Sequence, residues 1–219
     1  MLLITGMACL GWVSYQYVWT NAVSERLFSA EKSQLRQRWN SDEPRASARA
    51  DLRDRAGTRQ GAPQQAATGP AIPDDAFALL RIPAFGDAYE VPILSGTGSD
   101  VLSRGVGHYR STAMPGQVGN FAVAGHRVTH GQPFARLLDL NRGDKIVVET
   151  RTAIYSYVLD VAPRNLTVKS SDGWLLDPVP GKNTAPTKAL LTLTTCQDLF
   201  RSQDRSVATG HLTSSTVKN

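Results

Sequence analysis

A mostly-β fold, closed or nearly closed into a barrel, is predicted by three features of this chain. From Ile72 onward, aliphatic and β-branched runs of strand length recur, each bounded by Gly, Pro, Asn or Asp. Helical patterning is confined there to short pieces between the runs. The run Ala189-Leu190-Leu191-Thr192-Leu193-Thr194-Thr195 has the composition of a buried strand, and a thiol, Cys196, stands at its end.

The elements follow in order. Residues 1–20 read as a transmembrane anchor: Met1 to Trp19 carries no charge and approaches the roughly 20 residues a span requires. Tyr15, Tyr17 and Trp19 gather at its end, where amphipathic rings favour the water interface. Neither a basic leader nor a prompt small-X-small site supports a cleaved signal peptide. The basic flank Arg26, Lys32, Arg36 and Arg38 would by charge alone face the cytoplasm, but large domains translocate largely regardless of such charge.

Residues 21–71 are expected to form a juxtamembrane helix and a flexible linker. Ser24 to Trp39 holds good helix formers and is read as a spacer, while Asn40 to Ala71 has almost no large apolar residue beyond Leu52. The net charge of +5 comes with arginines crowded between Arg26 and Arg59 and no interleaved aromatics, which argues against nucleic acid.

The folded domain is expected over residues 72–214, with 215–219 a C-terminal tail. Phe77–Ile82 and Tyr89–Leu94 are its first strands, the second tolerating Pro92 only at an edge or bulge. Asp100 to Arg104 has the length of one helical turn. Asn120–Gly125 reads as a strand ending at His126, and Pro133–Leu140 as a short helix with proline in its first turn. Lys145–Thr150 and Ile154–Leu159 read as a hairpin, followed by Ala189–Thr195 and Ser206–Leu212 as late strands. Length leaves room for one such domain only: the chain has 219 residues.

By itself, Cys196 is equally a buried apolar residue or a nucleophile. Its context decides. Thr192-Leu193-Thr194-Thr195-Cys196 resembles the Thr-Leu-X-Thr-Cys signature of the sortases, the cysteine transpeptidases of Gram-positive cell surfaces. Arg205, nine positions on, falls where that family's arginine is expected, and Ala124-Gly125-His126-Arg127 resembles its histidine motif. The resemblance covers Phe77 to Leu212. Gly107-His108-Tyr109 through Gly119-Asn120-Phe121 makes it most similar to class E, the actinobacterial branch. A barrel of about eight strands is what this resemblance implies.

It also implies roles. A thiol of pKa near ~8.5 is only slightly ionised at neutral pH and needs a base or a cation to become nucleophilic. His126 would take the Cys196 proton or pair with its thiolate, and later protonate the leaving amine. Arg205 would hold substrate or stabilise the oxyanion, with Arg201 the nearby residue to exclude. Thr195 and Tyr109 are candidates for contact with substrate, and His108 for lining the site. Packing is the alternative for Thr195, and a roleless loop position for Tyr109.

Two departures from class E flank the reactive centre: Gln197-Asp198 stands where His-Pro is usual, and Ser206-Val207-Ala208-Thr209-Gly210 is less aliphatic than its counterpart. No metal or other cofactor is expected, because Asp87, Glu90, Asp100, Asp139 and Asp144 are scattered without ligand spacing. Nor is a disulfide, since Cys9 lies in the expected span and Cys196 in a separate domain.

The resulting expectation is a single-pass membrane enzyme with its catalytic domain outside the cell. It would cut a Leu-Ala-X-Thr-Gly or Leu-Pro-X-Thr-Gly sorting signal between Thr and Gly and pass the threonyl thioester to a peptidoglycan-precursor amine. A pilin-polymerising transferase, a cysteine peptidase using water, and a non-catalytic peptide-binding barrel are the alternatives.

Overall fold

The computed structural model describes residues 19–55, 75–196 and 204–218, and the side chains of 42–55 and of Cys196 lie outside that description. Nine strands form one sheet: β1 (Ala76–Arg81), β2 (Glu90–Ser95), β3 (Val106–His108), β4 (Gly119–Ala124), β5 (Lys145–Glu149), β6 (Ala153–Val161), β7 (Thr167–Lys169), β8 (Ala189–Cys196) and β9 (Asp204–Val217). Their order is β6-β5-β1-β2-β3-β4-β8-β9-β7, and a further pairing of β6 with β9 closes the sheet on itself. The closed ring therefore has eight strands, with β7 attached outside it along β9. The expected mostly-β barrel with few helices is what forms.

Two neighbouring pairs are parallel, β2 with β3 and β4 with β8, and each needs a crossover. The first crossover holds the short helix α2 (Ser99–Leu102); the second is the long excursion through β5, β6 and β7. A long helix, α1 (Thr20–Arg55), precedes the barrel in the chain. Side chains from every wall fill the barrel. Leu80, Ile93, Phe121, Val123, Ile146, Val148, Tyr157, Leu191 and Leu193 are all fully buried.

The observed strands match the expected ones to within a residue or two at most ends, and the exceptions have physical causes. β3 and β7 are three residues each, too short to show a period. Pro92 lies inside β2 opposite Leu79, but the pairing with β3 starts only at Ile93, so the edge its missing donor needs exists locally. The expected helix over Pro133–Leu140 is a turn followed by a 3-10 segment, Leu137–Asp139. β9 runs to Val217, with Val217 opposite Ala153, so residues expected as a tail are barrel wall.

The larger correction concerns α1. Residues read as a spacer are packed onto the barrel: Asn21, Ser24, Phe28, Glu31 and Leu35 recur at helical spacing and all are buried. Phe28 joins the main core, and Leu35 packs with Ala76, Leu79, Leu94 and Val101. Glu31 accepts a hydrogen bond from Arg104 at 2.6 Å, and Arg36 pairs with Glu90 at 2.7 Å. Trp39 lies under the Lys218 ammonium, 4.4 Å from the ring centre. The helical backbone continues to Arg55, past Asn40 where the linker was expected to begin. The remaining linker residues, 56–71, the expected start of the folded domain, 72–74, and the expected anchor up to Val18 lie outside the described residues. Among the described residues no helix is long and apolar enough to cross a membrane.

If the α1 contact is part of the native fold, Leu35→Ala should cost about 2–4 kcal/mol, the usual range for emptying a buried leucine site. Denaturant unfolding of the full chain checks this. A midpoint equal to the parent's would mean that α1 is not held against β1 and β2.

Candidate active site

The sheet register determines where the candidate residues meet. β4 and β8 run parallel, with Ala124 beside Thr194, so Gly125-His126 leaves the end of β4 alongside Thr195-Cys196, the last residues of β8. β9 returns antiparallel, and its Arg205 is the direct partner of Cys196. Adjacent ends of β4, β8 and β9 thus bring His126, Cys196 and Arg205 to one end of the barrel.

The seam under this end is bonded more densely than the ladder alone requires. Gly125 N donates to Thr194 O at 3.1 Å, and the Thr195 hydroxyl donates back to Gly125 O at 2.8 Å. His126 O then accepts from Phe134 N at 2.9 Å. The backbone on each side of His126 is tied down. A Cβ on Gly125 would stand 2.7 Å from the Phe134 ring, so only glycine lets that ring close over the strand end.

This gives Thr195 a definite place. It is 2% exposed and its hydroxyl is spent on Gly125, so it shapes the strand end and does not face substrate in this conformation. Tyr109 is half-buried, its hydroxyl 3.3 Å from that of Thr194. It forms one wall of an open cleft of about 710 Å³, with Ser95, Thr97, Asp100, Arg104 and Arg110 among the others.

The expectation for His108 is corrected. Its ring has no exposed surface, stacks on Phe121 at 5.1 Å and meets the edge of Phe77 at 5.8 Å. Nε2 lies 3.1 Å from Ala113 O, which can only accept, so Nε2 carries the proton. Burial holds its pKa below the ordinary value. His108 is a core histidine, because β3 turns it inward between two aromatic rings.

His126 is half-buried, and the His130 ring stacks on it, centroids 4.7 Å apart and planes 25° apart. Burial first, and then the charge of His130, hold the His126 pKa down at about 4. At neutral pH its imidazole is uncharged. Arg205 is half-buried, and its guanidinium donates to Asp204 O at 3.1 Å. Arg201, Gln197 and Asp198 lie outside the described residues.

The Sortase domain family matches residues 80–213 of this chain. This chain belongs to the sortase family. The curated sortase SrtE1 of Streptomyces coelicolor is 35% identical over 97% of this chain, and this chain spans 55% of that relative's length. Among solved structures, sortase E of Streptomyces avermitilis is similar with a TM-score of 0.59 and 40% identity, covering 65% of this chain and 90% of that one. Sortase E1 of Streptomyces coelicolor, solved with a tripeptide in its active site, has a TM-score of 0.59 and 38% identity over 67% of this chain and 93% of its own. Within the family, these relatives make this sortase class E-like.

The histidines carry a prediction for acid. Folded His126 binds its proton near 4 and the unfolded ring near 6.5, so between those values the unfolded state holds more protons and stability falls as pH drops. His108 and His130 are shifted in the same direction. The melting temperature of this sortase should hold above pH 6.5 and decline from there toward pH 4. The decline should be shallower in His126→Asn, and equal slopes in parent and variant would show that His126 is not buried as a neutral base.

Proposed function

We propose that this chain is a membrane-anchored sortase that cleaves a Leu-Ala-X-Thr-Gly or Leu-Pro-X-Thr-Gly signal between Thr and Gly and transfers the threonyl group to an amine of the cell wall. The observation that carries the reading is the register that brings the ends of β4, β8 and β9, with His126, Cys196 and Arg205, to one place in a member of this family. The Streptomyces coelicolor sortase E1 structure, with a tripeptide in its active site, supports a peptide as substrate.

The chemistry runs in two halves. Cys196 sulfur attacks the Thr carbonyl carbon while neutral His126 takes the thiol proton, and a tetrahedral oxyanion forms. Arg205, permanently charged, stabilises that oxygen. The C–N bond to Gly breaks, His126 returns its proton to the departing amine, and a thioester remains on Cys196. An incoming amine then loses a proton to His126, attacks the thioester and restores the thiol. The new bond is again an amide, so no oxidant or reductant is consumed.

Tyr109, on the wall of the cleft, would contact side chains of the signal. By family resemblance the acceptor is an amine of a peptidoglycan precursor. The anchor, read from Met1 to Trp19, would put the domain on the outer face of the membrane. Because α1 starts at Thr20 and packs on the barrel, the site would then work close to the bilayer, where a lipid-borne precursor is found.

Incubation of the full chain with each signal peptide, with and without a glycine-peptide amine, tests this by mass spectrometry. A Thr-Gly cut whose product becomes an amide when amine is present is expected. Cys196→Ala, His126→Ala and Arg205→Ala should each lower the rate by about 100-fold or more. Free acid alone, whatever the amine, would make the protein a peptidase, and no acyl-enzyme with either peptide would remove the reading.

A further inference from the structure

Three consecutive residues beside the His126 loop hold positive φ: His130 at 55°, Gly131 at 74° and Gln132 at 48°. Only glycine adopts this region without penalty, so His130 and Gln132 are held there by something else. The loop's own bonds, Gln132 N to Thr129 O at 3.2 Å and Ala135 N to Gln132 O at 3.0 Å, close the turn but do not fix it to the barrel. Just past the turn Tyr89 donates to Pro133 O and Phe134 N to His126 O, and residues 128–131 themselves are fixed from α1. Asn21 Oδ1 accepts from Gly131 N at 2.9 Å, and Asn21 Nδ2 donates to Val128 O at 3.4 Å. Behind Gly131 there is no room for a side chain: a Cβ would lie 2.7 Å from the Phe28 ring and 3.2 Å from Ser24 Cβ.

The consequence of the turn is the seating of His130. In this conformation its ring covers one face of the His126 ring, and its Nδ1 lies 2.9 Å from the Thr129 hydroxyl, which limits rotation. An imidazole that must first take a proton from a thiol and then hand it to an amine works only if its ring stays in place through both steps. The bonds that hold His126 on its other side, through Gly125 and Phe134, fix its backbone, not its ring. The stacked neighbour supplies what they lack.

We infer that the first turns of α1 belong to the catalytic apparatus, with Asn21 clamping the 128–131 turn so that His130 is seated on His126, both acting as positioning residues. This rests on the proposed role of His126 as the imidazole that serves Cys196. Asn21 suits the task because an amide offers one acceptor for Gly131 and one donor for Val128; a carboxylate would keep the first bond and lose the second. The helix residues facing the turn, Asn21, Ser24 and Phe28, carry no titratable group. Any change in His126 titration on altering Asn21 therefore reports a moved ring.

The test uses the full chain in detergent and two readouts, ring-nitrogen NMR titration of His126 and steady-state cleavage of Leu-Ala-X-Thr-Gly and Leu-Pro-X-Thr-Gly peptides. In Asn21→Ala and His130→Ala the His126 midpoint should rise, because the ring loses cover and, in His130→Ala, also the neighbouring charge. At the same time kcat should fall about tenfold with KM within about twofold, as for a misplaced base. His130→Phe, which keeps a stacked ring, should recover most of kcat, and Asn21→Asp should fall between parent and alanine. A His126 midpoint equal to the parent's in His130→Ala, or in whichever Asn21 variant folds, overturns the proposal. If the parent cleaves neither peptide, the signal assignment fails, and the titration still decides the clamp.

Discussion

The parallel seam between β4 and β8 is the contact on which the rest depends. Six consecutive residue pairs, from Gly119 with Ala189 to Ala124 with Thr194, run the full length of β4, and all of the seam but Leu190 is buried. Such a pairing cannot be made by a hairpin, so the intervening chain has to leave the barrel and come back. What returns is held by Asn120. Its Nδ2 donates to Leu175 O at 2.7 Å and Asp177 O at 3.2 Å, while its Oδ1 accepts from the Thr192 hydroxyl at 2.8 Å. One buried amide thus ties the excursion to both strands of the seam. At the far end the Thr195–Gly125 bond does the same for the strand that carries His126. The proposed site lies where β4 ends beside the last residues of β8, which is how a fold can set groups together without long side chains searching for one another.

Closure of the barrel makes that seam rigid. β9 pairs through its first half with β8 and through its second half with β6, so one strand both carries Arg205 and completes the ring. Register shifts near Tyr157 and Leu159 let the long pair bend around the core. Outside the ring, Glu149 accepts from Lys218 at 2.7 Å and pairs with Arg81, so the end of the chain is pinned next to β1 and β5.

How much of this was legible in the sequence depends on whether the signal is local. The strands showed themselves because their runs are aliphatic and their limits are Gly and Pro. Cys196, His126 and Arg205 were found through motifs, and the register then placed their backbones together. Three things were not legible. His108 precedes Tyr109 in a stretch that reads as a loop, and nothing local says that β3 buries it between Phe77 and Phe121. The stacking of His130 depends on a left-handed turn that no residue type but Gly131 announces. The docking of α1 was hidden by chemistry: three of its five buried seam positions, Asn21, Ser24 and Glu31, are polar, so a search for an apolar stripe passes over it.

Those polar seam residues also explain how a helix with so little apolar surface stays on the barrel. Phe28 and Leu35 together contribute about 3–6 kcal/mol by burial, too little by itself to order several helical turns. Glu31 adds a charge-assisted bond to Arg104, and once buried it makes the separated state unattractive, since parting them in place would leave a carboxylate without its partner. Asn21 adds bonds to the turn that carries His130. An apolar seam would hold a helix at any of several registers; this one favours a single register, because Asn21 and Glu31 each bond to specific partners beyond the helix. A neutral His126 requires that kind of definition more than a charged one would. In the proposed reaction the uncharged ring takes the thiol proton as the sulfur attacks, beside the permanent charge of Arg205. Such a transfer tolerates little misplacement of the ring.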